Sequence, residues 1–183
     1  MKHSVKSRLT KLVFGLSLIA ANPAGALEIE SDVEYLASPK TTIKALHRLF
    51  VGVPVGGNVS FGQSIYSGAH GDGGGAFFWG FEGVKRFSTS QKTNLALSAF
   101  FGGGGGASQV VGDGTMYRFG ATGEYNLTSN WSARAGVSYL SISGAPIDDW
   151  ATSVGLRYQL APKSNISKAG KPNLARASFR TSR

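Results

Sequence analysis

The stretch Ser153-Val154-Gly155-Leu156-Arg157-Tyr158-Gln159-Leu160 constrains the chain most, because as a strand it presents two faces suited to different solvents. Period-two alternation places Val154, Leu156, Tyr158 and Leu160 on one face and Ser153, Gly155, Arg157 and Gln159 on the other. A segment divided in this way belongs between an apolar and a polar medium. Trp150 and Thr152 extend the same alternation upstream.

The pattern recurs. From Tyr117 to Leu127 one face carries Tyr117, Phe119, Ala121, Gly123 and Tyr125, and the other Arg118, Gly120, Thr122, Glu124 and Asn126. From Trp131 to Tyr139, Trp131, Ala133, Ala135, Val137 and Tyr139 oppose Ser132, Arg134, Gly136 and Ser138. Asn94 to Phe101 sets Leu95, Leu97, Ala99 and Phe101 against Asn94, Ala96, Ser98 and Phe100. These runs are of the length, about 9–11 residues, that a tilted strand needs to cross a bilayer. Phe77 to Arg86 and Asn58 to Tyr66 alternate less regularly, and Arg48 to Val55 is broken by Pro54, which fits a strand end.

Connections supply a second test. Gly56-Gly57, residues 88–93 and Thr128-Ser129-Asn130 are short, whereas residues 67–76, 102–115 and 141–149 are long and glycine-rich. Strict alternation of short and long is expected of a transmembrane barrel with tight periplasmic turns and longer extracellular loops. By parity an eighth strand must precede Arg48, and Leu27 to Leu36, with Ile29, Val33 and Tyr35 on one face, fills that place. Tyr117, Tyr139 and Trp150 then fall at the outer ends of their strands, and Tyr125, Trp131 and Tyr158 at the periplasmic ends. Aromatic girdles at both interfaces are a barrel property. A soluble secreted or periplasmic β-sandwich that binds a ligand would instead turn these rings into a core.

The two ends read differently. Lys2, Lys6, Arg8 and Lys11, an apolar run from Leu12 to Ala21 and the small-residue site Ala24-Gly25-Ala26 make residues 1–26 a signal peptide. Residues 161–183 hold six basic residues and no acid, a composition expected to be a disordered periplasmic tail that could meet peptidoglycan or an acidic partner. Between them, residues 27–160 carry nine Lys/Arg against ten Asp/Glu, so the formal charge of +9 belongs to the ends and a nucleic-acid groove is not expected. With no cysteine, disulfides, thiolate metal sites and a lipoprotein anchor are excluded.

The octet, with Ser153, Gly155, Tyr158 and Leu160 at its key positions, resembles the carboxy-terminal assembly signal of bacterial outer-membrane β-barrels. Residues 44–160 resemble the small eight-stranded outer-membrane barrels, namely the opacity-type surface proteins and the transmembrane domain of the OmpA-like porin family. The resemblance implies an antiparallel up-and-down barrel over residues 27–160, an outer-membrane location among lipid, and contact with the barrel assembly machinery during biogenesis. Members commonly end on an aromatic residue at the last strand, whereas here Leu160 stands there and the chain continues.

The expected lumen carries Glu82, Arg118, Glu124, Arg134 and Arg157, with Gly80, Gly120, Gly136 and Gly155 making room for long side chains. This set is read as a charge network that plugs the barrel, with the third arginine left to water or a loop carboxylate. No strand segment pairs a histidine with a serine on the bilayer-facing wall, so no catalytic residue is assigned, and His70 is read as a solvated loop residue. Asp72, Asp113, Asp148 and Asp149 lack calcium-loop spacing, and neither Gly71–Gly75 nor Gly102–Gly106 leads into the Lys-Ser/Thr of a phosphate loop. No metal or cofactor is therefore expected. The sequence points to a non-enzymatic surface or structural barrel, with a small porin-like channel as the alternative.

Overall fold

The computed structural model describes residues 26–72, 75–106 and 113–160. Residues 1–25 of the expected leader, the tail from 161 to 183 and the tips of two glycine-rich connections lie outside them. Eight strands follow in order: β1 (Glu28–Leu36), β2 (Ile43–Gly56), β3 (Val59–Gly71), β4 (Phe77–Ser88), β5 (Thr93–Gly105), β6 (Thr115–Asn126), β7 (Trp131–Ile142) and β8 (Ile147–Gln159). Each pairs antiparallel with its neighbour, and β1 closes on β8 from Glu28↔Gln159 to Leu36↔Ala151, so the sheet is a closed barrel. Closure satisfies every strand's backbone donors and acceptors laterally and leaves no edge.

The β2–β3, β4–β5 and β6–β7 connections define one end, the turn end, and the remaining connections define the loop end. Hydrogen-bonded partners run from Ile29 through Val51, Gln63, Phe81, Phe101, Tyr117 and Ser141 to Asp148. Asp148 lies beyond Ala151, the partner of Leu36. One circuit therefore climbs the wall by roughly ten residues, which for a barrel of this size means strands tilted by about 40°.

Alternation along the strands fills the interior and coats the exterior. Val154, Leu156, Val137, Phe119, Phe101, Leu97, Phe81 and Trp79 are exposed on the outer wall, while their sequence neighbours are buried or, at Gly102, Gly120, Gly136 and Gly155, half-buried. Inside, two tiers stack. The loop-end tier is apolar, built from Leu36, Ile43, Leu46, Tyr66, Phe78, Phe100, Met116, Leu140, Ile142 and Ile147. Tyr66 tilts against Phe100 at 4.9 Å between ring centroids. The turn-end tier is ionic.

Strand boundaries depart from the sequence reading at the loop end. β2 starts at Ile43, and β3, β5 and β7 run on to Gly71, Gly105 and Ile142, shortening the expected long loops. The 141–149 connection contracts to residues 143–146, since Ile142 pairs with Ile147 and both bury themselves in the apolar tier. The strict short–long alternation of connections therefore fails at β7–β8. At the other end the tight turn is Gly57-Asn58 rather than Gly56-Gly57, with φ of 56° and 60° as a type I′ hairpin requires. β6 opens where Asp113 Oδ1 accepts from Thr115 N at 3.1 Å, a bond that holds the Asp113 carboxyl below its ordinary range.

Glycine spacing has a steric cause at the β1–β8 seam. A Cβ at Gly155 would collide with the Ser31 carbonyl and with Asp32, whereas one at Gly83 would meet nothing within 4 Å. Gly155→Ala is expected to destabilise the barrel by about 1–3 kcal/mol, and Gly83→Ala to shift it by less than about 0.5 kcal/mol. Urea unfolding of both variants in lipid vesicles measures the difference, and equal midpoints would mean that the seam is loosely packed.

Candidate functional site: the luminal ion network and the outer wall

β1 carries a carboxylate at every second position, Glu28, Glu30, Asp32 and Glu34, and all four side chains are buried in the lumen. Facing them are Arg48 of β2, Arg86 of β4, Arg118 of β6, Arg134 of β7 and Arg157 of β8, with Glu82 and Glu124 on β4 and β6. The tier therefore holds six carboxylates and five guanidiniums. The three-arginine, two-glutamate set expected from sequence is incomplete. Arg157 and its neighbours are met by β1 rather than by a loop acid or water alone.

The contacts interlock. Arg48 reaches Glu30 at 2.9 Å, Asp32 at 2.5 Å and Glu82 at 2.8 Å. Arg86 pairs with Glu28 at 2.8 Å and Glu124 at 3.2 Å, and also with Glu30. Arg118 joins Glu34 at 2.7 Å and Glu82 at 3.5 Å, and donates to Ser98 Oγ at 2.6 Å. Arg134 meets Glu30, with Asp32 at 3.4 Å and Glu124 at 3.6 Å. Arg157 lies 3.2 Å from Glu28 and 3.7 Å from Glu124, and donates to Gln159 at 2.9 Å. Glu30 and Glu124 each touch three arginines, Glu30 at the shorter distances. Buried ions survive only when they are so paired.

Glycines make the space. A side chain at Gly120 would strike the Arg118 guanidinium, and one at Gly136 would strike Thr122. Arg48 also lies 5.4 Å from the Phe50 ring centroid, where the ring face attracts the cation. A cavity of about 230 Å³ opens at the turn end, lined by Glu28, Ser60, Arg86 and Arg157 with the β2–β3 turn. Above it the ionic tier is closed, and above that the apolar tier.

On the outer wall, Tyr117, Tyr125, Trp131 and Trp150 are exposed and Tyr139 and Tyr158 half-buried. Trp131 and Tyr158 pair at 4.7 Å near the turn end, and Tyr139 and Trp150 at 5.7 Å near the loop end. Of the octet, Ser153 and Gly155 face the lumen and Tyr158 and Leu160 the outside. Leu160 N donates to Leu27 O at 2.8 Å, fastening the last residue of the octet to the chain just before β1.

One sequence expectation is overturned on this wall. Ser31 Oγ and His47 Nε2 share a hydrogen bond at 2.9 Å, both half-buried and both facing outward. Histidine and serine are therefore paired on the outer face after all, from β1 and β2. They were missed because they lie sixteen residues apart and meet only across a ladder diagonal, Val33 being the direct partner of His47. Hydrolytic use of such a pair needs an acid to orient the imidazole and donors for an oxyanion. Among the described residues no carboxylate bonds His47, and the acids of β1 point inward.

Removing the most closely paired acid should expose the network's importance. Glu30→Gln leaves buried guanidiniums undercompensated and is expected to cost about 3–5 kcal/mol of stability. Lys92→Gln, on an exposed turn, should stay within about 0.5 kcal/mol. Equilibrium unfolding in lipid reads both, and similar values would show the network to be energetically slack.

No protein-family profile and no curated protein matches this chain. Solved structures do resemble it. The N-terminal β-barrel domain of Pseudomonas aeruginosa OprF aligns over 73% of this chain and 96% of its own, with 16% identity and a TM-score of 0.55. A chain from the de novo design of transmembrane β-barrels aligns over 76% and 98%, with 12% identity and a TM-score of 0.56. Neisserial surface protein A aligns over 73% and 98%, at 16% identity and a TM-score of 0.43. At such identities the likeness to the first two is one of fold: an all-β, closed, eight-stranded antiparallel barrel.

Proposed function

We propose that the chain is a non-enzymatic barrel of the bacterial outer membrane, acting as a structural or surface-interaction protein through its glycine-rich extracellular loops. The observation that carries this reading is the inversion of the molecule. Its exterior exposes Trp79, Phe81, Phe101, Phe119, Val137, Val154 and Leu156 in one belt between aromatic rings, while eleven charged side chains are packed inside. A water-soluble barrel would do the reverse, since contiguous apolar surface of this extent is not left to water. A hydrocarbon surrounding satisfies both arrangements, because a closed barrel is one of the two backbone forms that can span it.

The filled interior favours a scaffold over a pore. Any ion crossing would have to part Arg48 from Glu30, Asp32 and Glu82, then pass the apolar tier of Leu46, Phe78, Met116 and Leu140. That leaves the surfaces to carry the function. In this orientation the loop end faces outward, and the turn end with the emerging basic tail faces the periplasm. There the tail's cations would suit peptidoglycan or another acidic partner. Lipid and the barrel assembly machinery are the remaining proposed partners, the latter through Ser153, Gly155, Tyr158 and Leu160.

Two measurements test the reading. Cell fractionation with a heat-modifiability gel should place the folded protein in the outer membrane, running as a compact band that shifts only on boiling. Planar-bilayer recording should show no discrete openings; reproducible unitary currents would replace the scaffold with a small porin-like channel. The lipid-facing assignment adds a quantitative check. Val137→Arg should cost about 2–4 kcal/mol near the bilayer midplane, whereas Ser143→Arg on the exposed β7–β8 turn should be nearly neutral.

A further inference from the structure

The outer wall is not uniform. On β4 to β8 the outward positions between the aromatic rings are apolar or small, with Thr152 the exception and Lys85 near the turn end. On β1, β2 and β3 the outward face instead carries Ser31, Tyr35, His47, Gln63 and Ser67. Ser31 and His47 bond each other, and Gln63 Oε1 accepts from Trp79 Nε1 only at 3.4 Å. His47 Nδ1, the Tyr35 hydroxyl and the Ser67 hydroxyl make no hydrogen bond among the described residues. Tyr35 and Ser67 lie near the level of the loop-end girdle, but acyl chains offer Ser31, His47 and Gln63 no partner, and polar side chains facing hydrocarbon mark contacts other than lipid.

The strand tilt decides what meets what. Each crossing from one strand to the next along hydrogen-bonded partners climbs a little over one residue, from roughly ten residues spread over the circuit. Two crossings therefore overshoot by two to three residues. Ser31 leads through Leu49 to Ile65, so the residue level with it on β3 is Gln63. Tyr35 leads through Ala45 to His70, so its level counterpart is Ser67. The polar residues of β1 and β3 thus lie at matched depths on either side of β2.

We infer that this face is the contact between two copies of the chain, related by a two-fold axis along the bilayer normal that runs just outside β2. Such an axis keeps depth and exchanges β1 for β3. Ser31 of one copy then faces Gln63 of the second, Tyr35 faces Ser67, and His47 lies beside the axis opposite its own equivalent. The Ser31–Gln63 and Tyr35–Ser67 contacts each join a group that donates to one that accepts, and each occurs twice, which is the self-complementarity an isologous interface demands. Convex barrel walls touch along only a few strands, which matches the width of the polar stripe. The inference rests on the membrane reading above.

The absence of cysteine makes the test direct. Leu49→Cys, outward on β2 beside the axis, and Val137→Cys, outward on β7, are introduced singly into the full chain and reconstituted into lipid vesicles at high dilution. Mild oxidation should yield disulfide-linked dimers from Leu49→Cys and not from Val137→Cys. Adding His47→Leu and Gln63→Leu to Leu49→Cys should cut the yield several-fold. Sedimentation equilibrium of the unmodified protein in density-matched detergent should give a dimer. A monomer there overturns the inference, leaving the face to lipid; a dimer that cross-links at residue 137 as readily as at 49 overturns the assigned face. Heat-modifiability of the same samples separates the two failures. A folded, heat-modifiable monomer refutes only the pairing, whereas loss of the compact band refutes the membrane barrel beneath it.

Discussion

A guanidinium enclosed by eight strands has no bulk water to return to, so the carboxylates of β1 determine whether this lumen is tolerable at all. Four of the six luminal acids belong to that one strand, and their partners come from β2, β4, β6, β7 and β8. The glycines follow from the same demand. Gly120, Gly136 and Gly155 stand where a Cβ would displace Arg118, Thr122 or Asp32. Register follows too, since a one-residue slip of β1 would turn all its acids outward.

The division of the interior into an ionic and an apolar tier gives each end of the molecule a different character. Near the turn end, charge density is high and a cavity admits solvent as far as Arg86 and Arg157. Near the loop end, Ile43, Phe78, Met116 and Ile147 pack as an ordinary hydrophobic core. Of the strand length beyond the girdles, only the end of β7 joins that core, through Ile142, whereas Gly68–Gly71 of β3 and Gly102–Gly105 of β5 extend past it exposed or half-buried. Apolar contact holds the loop end together where the surroundings no longer favour an apolar exterior.

Periodicity made most of the barrel legible in the sequence. The facing of β4 to β8 could be read because each strand has one coherently apolar side, and the parity of Glu82, Arg118, Glu124, Arg134 and Arg157 followed from it. β1 was harder to read. Its outward face mixes Ile29 and Val33 with Ser31, so attention went to three apolar residues, although the four alternating acids on the other parity were the stronger signal. Arg86 shared the parity of Glu82 and could have been added by the same count; Arg48 was obscured by Pro54, which suggests a strand end although β2 continues to Gly56. The Ser31–His47 bond was beyond any local pattern, because it depends on the register between two strands. Loop lengths misled for a simpler reason: glycine-rich segments such as 102–105 read as loops, yet they continue β5.

Charge balance also depends on closure. Without β1, the sheet from β2 to β8 holds Arg48, Arg86, Arg118, Arg134 and Arg157 against only Glu82 and Glu124. Such an unclosed sheet remains a water-seeking polycation on its concave side, poorly matched to hydrocarbon however complete its other strands are. Capture of the earliest strand by the latest removes that excess in a single event, along the seam from Glu28↔Gln159 to Leu36↔Ala151. A barrel lacking its first strand would therefore keep five buried guanidiniums against two carboxylates, so the balance of the whole lumen hangs on that one seam.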